Sequence, residues 1–280
     1  MDTLLPDEYW PKLREIPEPP ERLWVRGTIP GPERKLITIV GSRSMSQYAH
    51  DAVDYLVSGL ADYPVAIVSG LALGVDGAAH RAAMKHGLPT VAFPGSGLND
   101  DALYPATHKW LAQEILATGG ALVSEFPPEE KGRVHFFPKR NRIMVGVSDA
   151  VVVVEAGLKS GTLITARMAV DYNRDLLVVP HSIFSDGGAG GHVFMKLGAL
   201  PARSASDVLE AIGIVEDKNI ETLRLTSEEE EVLALLMEPI PRDELIRELG
   251  IPTGQANVLL AQMEIRGLIG ESLGSVRKLI

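Results

Sequence analysis

Leu36-Ile37-Thr38-Ile39-Val40-Gly41-Ser42-Arg43 reads as a strand buried on both faces that runs into a tight, cation-bearing turn. Five more short runs share its texture: Val65–Val68, Thr90–Phe93, Ala121–Ser124, Ala150–Val154 and Leu176–Val179. All are nearly continuous in Val, Ile, Leu and Ala rather than alternating with polar residues, as in a parallel sheet covered on both faces. Helical patterns separate them at Gln47–Ala61, Gly77–His86, Pro105–Thr118 and Thr162–Asn173. Alternation of strand and helix over about 175 residues predicts an α/β fold, a mostly parallel sheet with helices on both faces. The pattern does not contain the strand order.

Upstream of this region the texture is different. The first 32 residues hold seven of the 19 prolines, each of which fixes φ and removes a backbone donor. Trp10, Ile16, Leu23, Trp24 and Val25 are scattered among them. Residues 1–35 therefore read as an extended arm pinned to the main domain, which spans residues 36–213. Downstream, residues 214–225 read as a charged linker. Residues 226–280 then give three helices, Thr226–Met237, Arg242–Glu248 and Thr253–Arg266, and two short strands near Leu268–Glu271 and Val276–Ile280. Gly250 and Gly267 stand where the second and third helices should stop. Three short helices followed by a hairpin make a winged-helix domain.

Composition narrows the function. The chain is 45% hydrophobic and 23% charged, so neither wholesale disorder nor a fibre fits. It has no Cys, which removes disulfides, cysteine nucleophiles and thiolate zinc sites. No apolar run reaches the roughly 18 residues of a membrane span, and MDTLLPDEYWPKL lacks the charge and apolar centre of a signal peptide. A cytoplasmic protein without membrane partners is expected. The net charge of −10 opposes a surface coated for duplex DNA but allows a local basic groove.

The strands end in small, turn-forming residues: Gly41-Ser42-Arg43, Ser69-Gly70, Pro94-Gly95-Ser96-Gly97 and the later Ser160-Gly161-Thr162. Ligands of open α/β sheets bind beyond the carboxyl ends of strands, where backbone N–H groups at helix starts hold anions. Arg43 adds a fixed cation there, although an ordinary tight connection accounts for the turn equally well. A dinucleotide fingerprint would need glycine at positions 43 and 46, where Arg43 and Ser46 stand, and no GxxxxGK[ST] phosphate loop occurs. The seven His are dispersed, so neither a metal site nor a cofactor is expected. Asp76 and His80, at i and i+4, could form an acid/base pair, but helix-opening and packing roles are the stronger reading.

Arg133-Val134-His135-Phe136-Phe137-Pro138-Lys139-Arg140-Asn141-Arg142 is the most informative segment: four cations, two adjacent aromatics and no carboxylate. Cations that neutralise phosphates beside rings on which bases stack are what single-stranded nucleic acid requires. Pro138 fits the first turn of a helix, from whose start Lys139, Arg140, Asn141 and Arg142 would project. A surface helix with Phe136 or Phe137 in the core is the competing account.

Gly41-Ser42-Arg43, SGLALGVDGAAHRAAM (Ser69–Met84), Tyr104-Pro105, SEFPP (Ser124–Pro128), FPKRNRI (Phe137–Ile143) and VVVEAGLKSGTLITAR (Val152–Arg167) share the order and spacing of one family. The sequence resembles the DNA-processing protein A (DprA/Smf) family of bacterial natural transformation, from about Pro11 to Ile212. The resemblance implies a Rossmann-like domain that binds single-stranded DNA, forms a homodimer and loads the RecA recombinase, with no catalytic step. The family's DNA groove maps onto Gly41, Ser42, Arg43, Phe137, Lys139, Arg140, Asn141 and Arg142. Its glycine-rich loops map onto Ser69, Gly70, Ser160, Gly161 and Thr162. Three features depart from the family pattern. The Pro-rich arm stands where many members carry a helical domain, Tyr48-Ala49 replaces Tyr-Gly, and Pro180-His181 replaces Pro-Gly.

Two other functions fit less well. Glu155–Ile164 superficially resembles the PGGxGTxxE signature of nucleotide N-glycoside hydrolases, but Thr165 holds the place of the carboxylate that glycosidic cleavage needs. A winged-helix reader of duplex DNA would line its second helix with cations. Residues 226–280 instead carry five basic and ten acidic residues, a net charge of −5, and Thr253–Arg266 has Arg266 as its sole cation. Phosphate repels such a domain.

Overall fold

The computed structural model describes residues 2–4, 9–214, 225–272 and 274–279. The chain divides into two compact units, Met1–Glu216 and Asp217–Ile280. Most of the expected linker, residues 215–224, lies outside the described residues.

The first unit is built on one nine-stranded sheet: β1 (Asp2–Leu4), β2 (Leu23–Gly27), β3 (Lys35–Val40), β4 (Val65–Ser69), β5 (Thr90–Ala92), β6 (Ala121–Ser124), β7 (Ala150–Val153), β8 (Asp175–Val178) and β9 (Leu200–Pro201). Its order is β1-β2-β6-β5-β4-β3-β7-β8-β9. The β6-to-β9 stretch is parallel throughout. Helices α1 (Gln47–Ser58), α2 (Val75–Lys85), α3 (Lys109–Ala117), α4 (Phe136–Val147), α5 (Thr162–Asp171), α6 (Ala189–Lys196) and α7 (Ala205–Ala211) connect the strands. The near-continuous apolar strands now have their cause. Leu36, Ala66, Val68, Val151 and Val153 join the core under α4, α5 and α6. Their neighbours Ile37, Ile39, Ile67, Ala150 and Val152 join the core under α1, α2 and α7. This is the Rossmann-like, mostly parallel sheet with helices on both faces that the sequence predicts.

The arm departs from expectation. Pro-free Leu23–Gly27 is a strand, paired antiparallel with β6, and β1 pairs antiparallel with β2. The prolines bracket this strand rather than abolish it, because they lie outside the ladder. Between these strands, Pro11–Glu15 forms a 3₁₀ turn that seats Leu13 against α4. A Cβ added at Gly146 would lie 2.7 Å from Leu13 Cδ2. Lys12 Nζ donates to Asp149 at 2.6 Å, and Arg174 donates to Glu15 at 2.8 Å. Leu13 is fully buried, so Leu13→Ala is expected to destabilise the unit by about 2–5 kcal/mol. Urea unfolding measures this, and a midpoint unchanged from wild type would show that the arm adds nothing to the core.

In the second unit, α8 (Ser227–Leu235), α9 (Arg242–Glu248) and α10 (Thr253–Ile265) pack around Val232, Leu245, Leu260 and Met263. A three-stranded sheet follows, with order β10 (Ile240–Pro241), β12 (Ser275–Lys278), β11 (Ile269–Ser272). This is a winged helix, with one short strand, β10, that the sequence reading lacked.

Candidate nucleic-acid interface

Strand order locates the site. From β3 the chain proceeds through β4, β5 and β6 on one side, and β7 and β8 lie on the other. The reversal leaves a crevice beyond the carboxyl ends of β3 and β7, the usual ligand position in such sheets. A cleft of about 580 Å³ lies in this region. Three backbone segments and one helix line it: Gly41–Ser44 after β3, Ala72 and Asp76 at the start of α2, Gly157 and Ser160–Thr162 leading into α5, and the first turns of α4.

Local contacts hold these pieces in register. Thr162 Oγ1 donates to Gly41 O at 3.0 Å, and Val75 N donates to Ser42 O at 3.1 Å. Asn141 Nδ2 donates to Thr165 Oγ1 at 2.9 Å and so ties α4 to α5. Glu155 accepts from Ser46 N at 3.1 Å, which fixes the exit of the Gly41–Ser46 loop. The exposed Arg43 guanidinium carbon lies 5.1 Å from the centre of the Phe137 ring, within cation–π range. Gly95 lies under that ring, where a Cβ would approach it to 2.6 Å.

The basic run is not a single array. At 100° per residue, Phe137, Arg140, Asn141 and Met144 share the face of α4 that lines the cleft. Lys139 and Arg142 leave on the other side. Lys139 is exposed, and the partly buried Arg142 pairs with Glu125 beside a separate depression that includes Trp24 and Glu18. Arg140 is itself buried. Its Nη1 donates to Phe93 O at 2.6 Å, and its guanidinium fills the space where a Gly70 side chain would go. Burial lowers its pKa to about 10, opposed by Asp76. Arg140 thus forms charged floor rather than a projecting finger. The expectation that Lys139–Arg142 and Arg43 form one groove is corrected accordingly: Arg43, Phe137, Arg140 and Asn141 are brought together, with Gly41, Ser42, Ser160, Gly161 and Thr162. Ser69 is fully buried and donates to Ile39 O at 2.6 Å, while Gly70 borders a smaller side depression.

Asp76 and His80 take the structural roles. Asp76 Oδ2 accepts from Ala72 N at 3.3 Å, and burial raises its pKa against the pull of Arg140. His80 Nδ1 lies 2.7 Å from Thr90 Oγ1, whose own proton goes to Ile67 O. The imidazole therefore donates through Nδ1, and among the described residues its buried Nε2 has no partner. Burial, then the charges of His108, Arg140 and Arg81, lower its pKa from 6.5 to about 3. A base depressed in the folded state binds fewer protons than in the unfolded chain. Its contribution to stability is thus lost as pH falls from about 6.5 toward 3, with a slope of up to about 1.4 kcal/mol per pH unit. Urea midpoints between pH 7 and 5 should fall less steeply for His80→Gln than for wild type; parallel curves would remove His80 as the cause.

A family model described as DNA recombination-mediator protein A matches residues 2–213. The chain belongs to this family. A DprA winged helix domain model matches residues 220–274. Protein Smf of Escherichia coli is 39% identical over 202 residues, 72% of this chain and 54% of Smf. The chain therefore spans about half the length of that relative. DNA processing protein DprA of Streptococcus pneumoniae is 37% identical over 207 residues, 74% of this chain and 72% of its own. Its X-ray structure aligns with a TM-score of 0.70 at 36% identity, over 75% of this chain and 73% of that one. DNA processing protein A from Helicobacter pylori, whose structure is described as giving insight into a unique single-stranded DNA binding mode, aligns with a TM-score of 0.66 at 27% identity. That alignment covers 75% of this chain and 94% of the H. pylori chain.

Sequence reasoning left Asp76 and Thr165 outside the site and gave Ser44 and Ile164 no role, yet all four line the cleft. The family-like segment Val152–Arg167 holds Ile164 and Thr165. Their spacing after Gly161-Thr162, one helical turn on, was the available signal.

Proposed function

We propose that this chain is a non-catalytic, cytoplasmic protein that binds single-stranded DNA, protects incoming strands and loads the RecA recombinase onto them in transformation or recombination. The observation that carries the reading is the pairing of Arg43 with the half-exposed Phe137 ring in the switch-point cleft, a phosphate partner beside a stacking surface. Membership of the family and the binding mode named for the H. pylori relative support it. Gly41, Ser42, Asn141, Ser160, Gly161 and Thr162 surround a strand held there, and Arg140 supplies positive potential from below. Lys139, Arg142 and Ser69 act at a distance or structurally.

A homodimer formed through residues 162–212 joins two clefts and raises affinity through effective concentration. The exposed apolar residues Val193, Leu197 and Leu200 near the β9 edge support that placement. The acidic winged helix suits a protein contact better than a DNA one, and among its described residues Arg242 and Arg266 are paired with carboxylates. Among the described residues, no helix is long and apolar enough to cross a membrane.

A gel-shift comparison tests the central claim: single-stranded oligonucleotides should bind well below the concentration needed for duplex of the same length. Equal or tighter duplex binding would overturn it. Release of free base from a ribonucleoside monophosphate would overturn the non-catalytic reading in favour of an N-glycoside hydrolase.

A further inference from the structure

Beside the main cleft lies a smaller depression of about 50 Å³ that shares Arg43, Phe137 and Arg140 with it and adds Leu73, Tyr104 and Pro105. We propose that Tyr104, flanked by Leu73 and Pro105, is a second base-stacking platform for single-stranded nucleic acid. It takes the nucleotide next to the one stacked on Phe137. The inference rests on the single-stranded DNA reading above and adds a subsite to it.

Exposure comes first. Tyr104 is 46% exposed and Leu73 44%. Apolar surface left open at the rim of a cationic cleft is the composition of a stacking track, where π-faces bind any base and nearby cations hold the backbone. Geometry comes second. The Tyr104 and Phe137 ring centroids are 5.6 Å apart with planes tilted by 48°, which is direct aromatic contact. No base fits between them, so the two rings serve successive bases rather than one clamped base. Arg43 stands at the junction because it lines both depressions and lies over Phe137.

Rigidity is the third observation. Tyr104 N donates to Ser96 Oγ at 3.2 Å, and Ser124 Oγ in turn donates to Ser96 O at 2.7 Å, which anchors the tyrosine backbone to the end of β6. Gly132 packs against it, since a Cβ there would lie 3.0 Å from Tyr104 Cβ. A platform fixed before binding loses little side-chain entropy on stacking.

The test uses the full chain and oligothymidylates carrying one 2-aminopurine moved base by base along the strand. Wild type should show fluorescence changes from stacking at two neighbouring positions. Tyr104→Ala should abolish one of them, keep the other, and weaken binding about 5- to 100-fold. Tyr104→Phe should restore both the signal and the affinity, because the ring rather than the hydroxyl carries the contact. Leu73→Glu, on the same exposed rim, should weaken binding by placing a carboxylate beside the phosphates. Wild-type affinity and an unchanged fluorescence profile in Tyr104→Ala would overturn the platform, while loss of binding in Phe137→Ala would keep the single-stranded DNA reading intact. If Phe137→Ala and Arg43→Ala also bind as wild type, that reading falls as well.

Discussion

Replacing Arg43 and Phe137 together by Ala is expected to weaken single-stranded DNA binding at least about 100-fold. One base–aromatic stack is worth about 1–3 kcal/mol, and the arginine adds a phosphate contact whose counterion is released on binding. The two side chains are 5.1 Å apart and support each other, so the single variants should not sum to the double one. Arg43→Ala alone should also flatten the plot of log affinity against log salt by about 0.7, whereas Phe137→Ala should leave that slope nearly unchanged. Arg43 is exposed and Phe137 half-buried, so folding should survive both changes. The two other cations of the helix provide the contrast. Lys139→Ala should reduce affinity less than Arg43→Ala, because Lys139 does not line the cleft. Arg142→Ala should lower stability rather than affinity, because it strips the partner from Glu125, a carboxyl whose pKa burial already raises. Filter binding with urea unfolding of each variant checks this. If Arg142→Ala and Lys139→Ala cost more affinity than Arg43→Ala in folded protein, the DNA path runs along the opposite face of α4.

That contrast marks how far the sequence could be read. Strand segments such as Leu36–Val40 and Ala150–Val154 were legible because burial on both faces leaves no charged residue in the run, and the one polar side chain, Thr38, is itself buried. The Gly41-Ser42-Arg43 turn was legible as a tight strand end because its residues are small, but its cation alone left phosphate binding and an ordinary connection equally open. The cations of Lys139–Arg142 misled because charge was counted along the chain, whereas a helix distributes neighbours around its axis. Burial of Arg140 depends on Gly70 and Phe93, respectively 70 and 47 residues earlier in the chain, and no local pattern records such a contact. The strand Leu23–Gly27 was hidden for a related reason: its ladder partner β6 lies almost a hundred residues away, while the flanking prolines dominate the local signal.

A residue that does not line the cleft should nevertheless control it. Gly74 precedes α2 with φ 73° and ψ −127°, a conformation that side chains rarely adopt. A Cβ there would meet Ser42 O at 2.2 Å and Arg43 O at 2.6 Å, both rigid backbone atoms of the cationic turn. Gly74→Ala must therefore both strain its own backbone, at about 1–3 kcal/mol, and push the Gly41–Arg43 turn away from Phe137. The same step threatens the bond from Val75 N to Ser42 O, which fastens the two loops together. Expected results are a lower urea midpoint and a loss of single-strand affinity comparable to that of Arg43→Ala, although no DNA-contacting side chain has been removed. Gly87→Ala separates the two effects: Gly87 also has a positive φ, 72°, but among the described residues nothing lies within 4 Å of an added Cβ. It should lose stability alone and bind single strands as wild type does. Equal affinity in the two folded variants would mean that the position of the Arg43 turn does not determine binding, and that the strand is held elsewhere on the sheet edge.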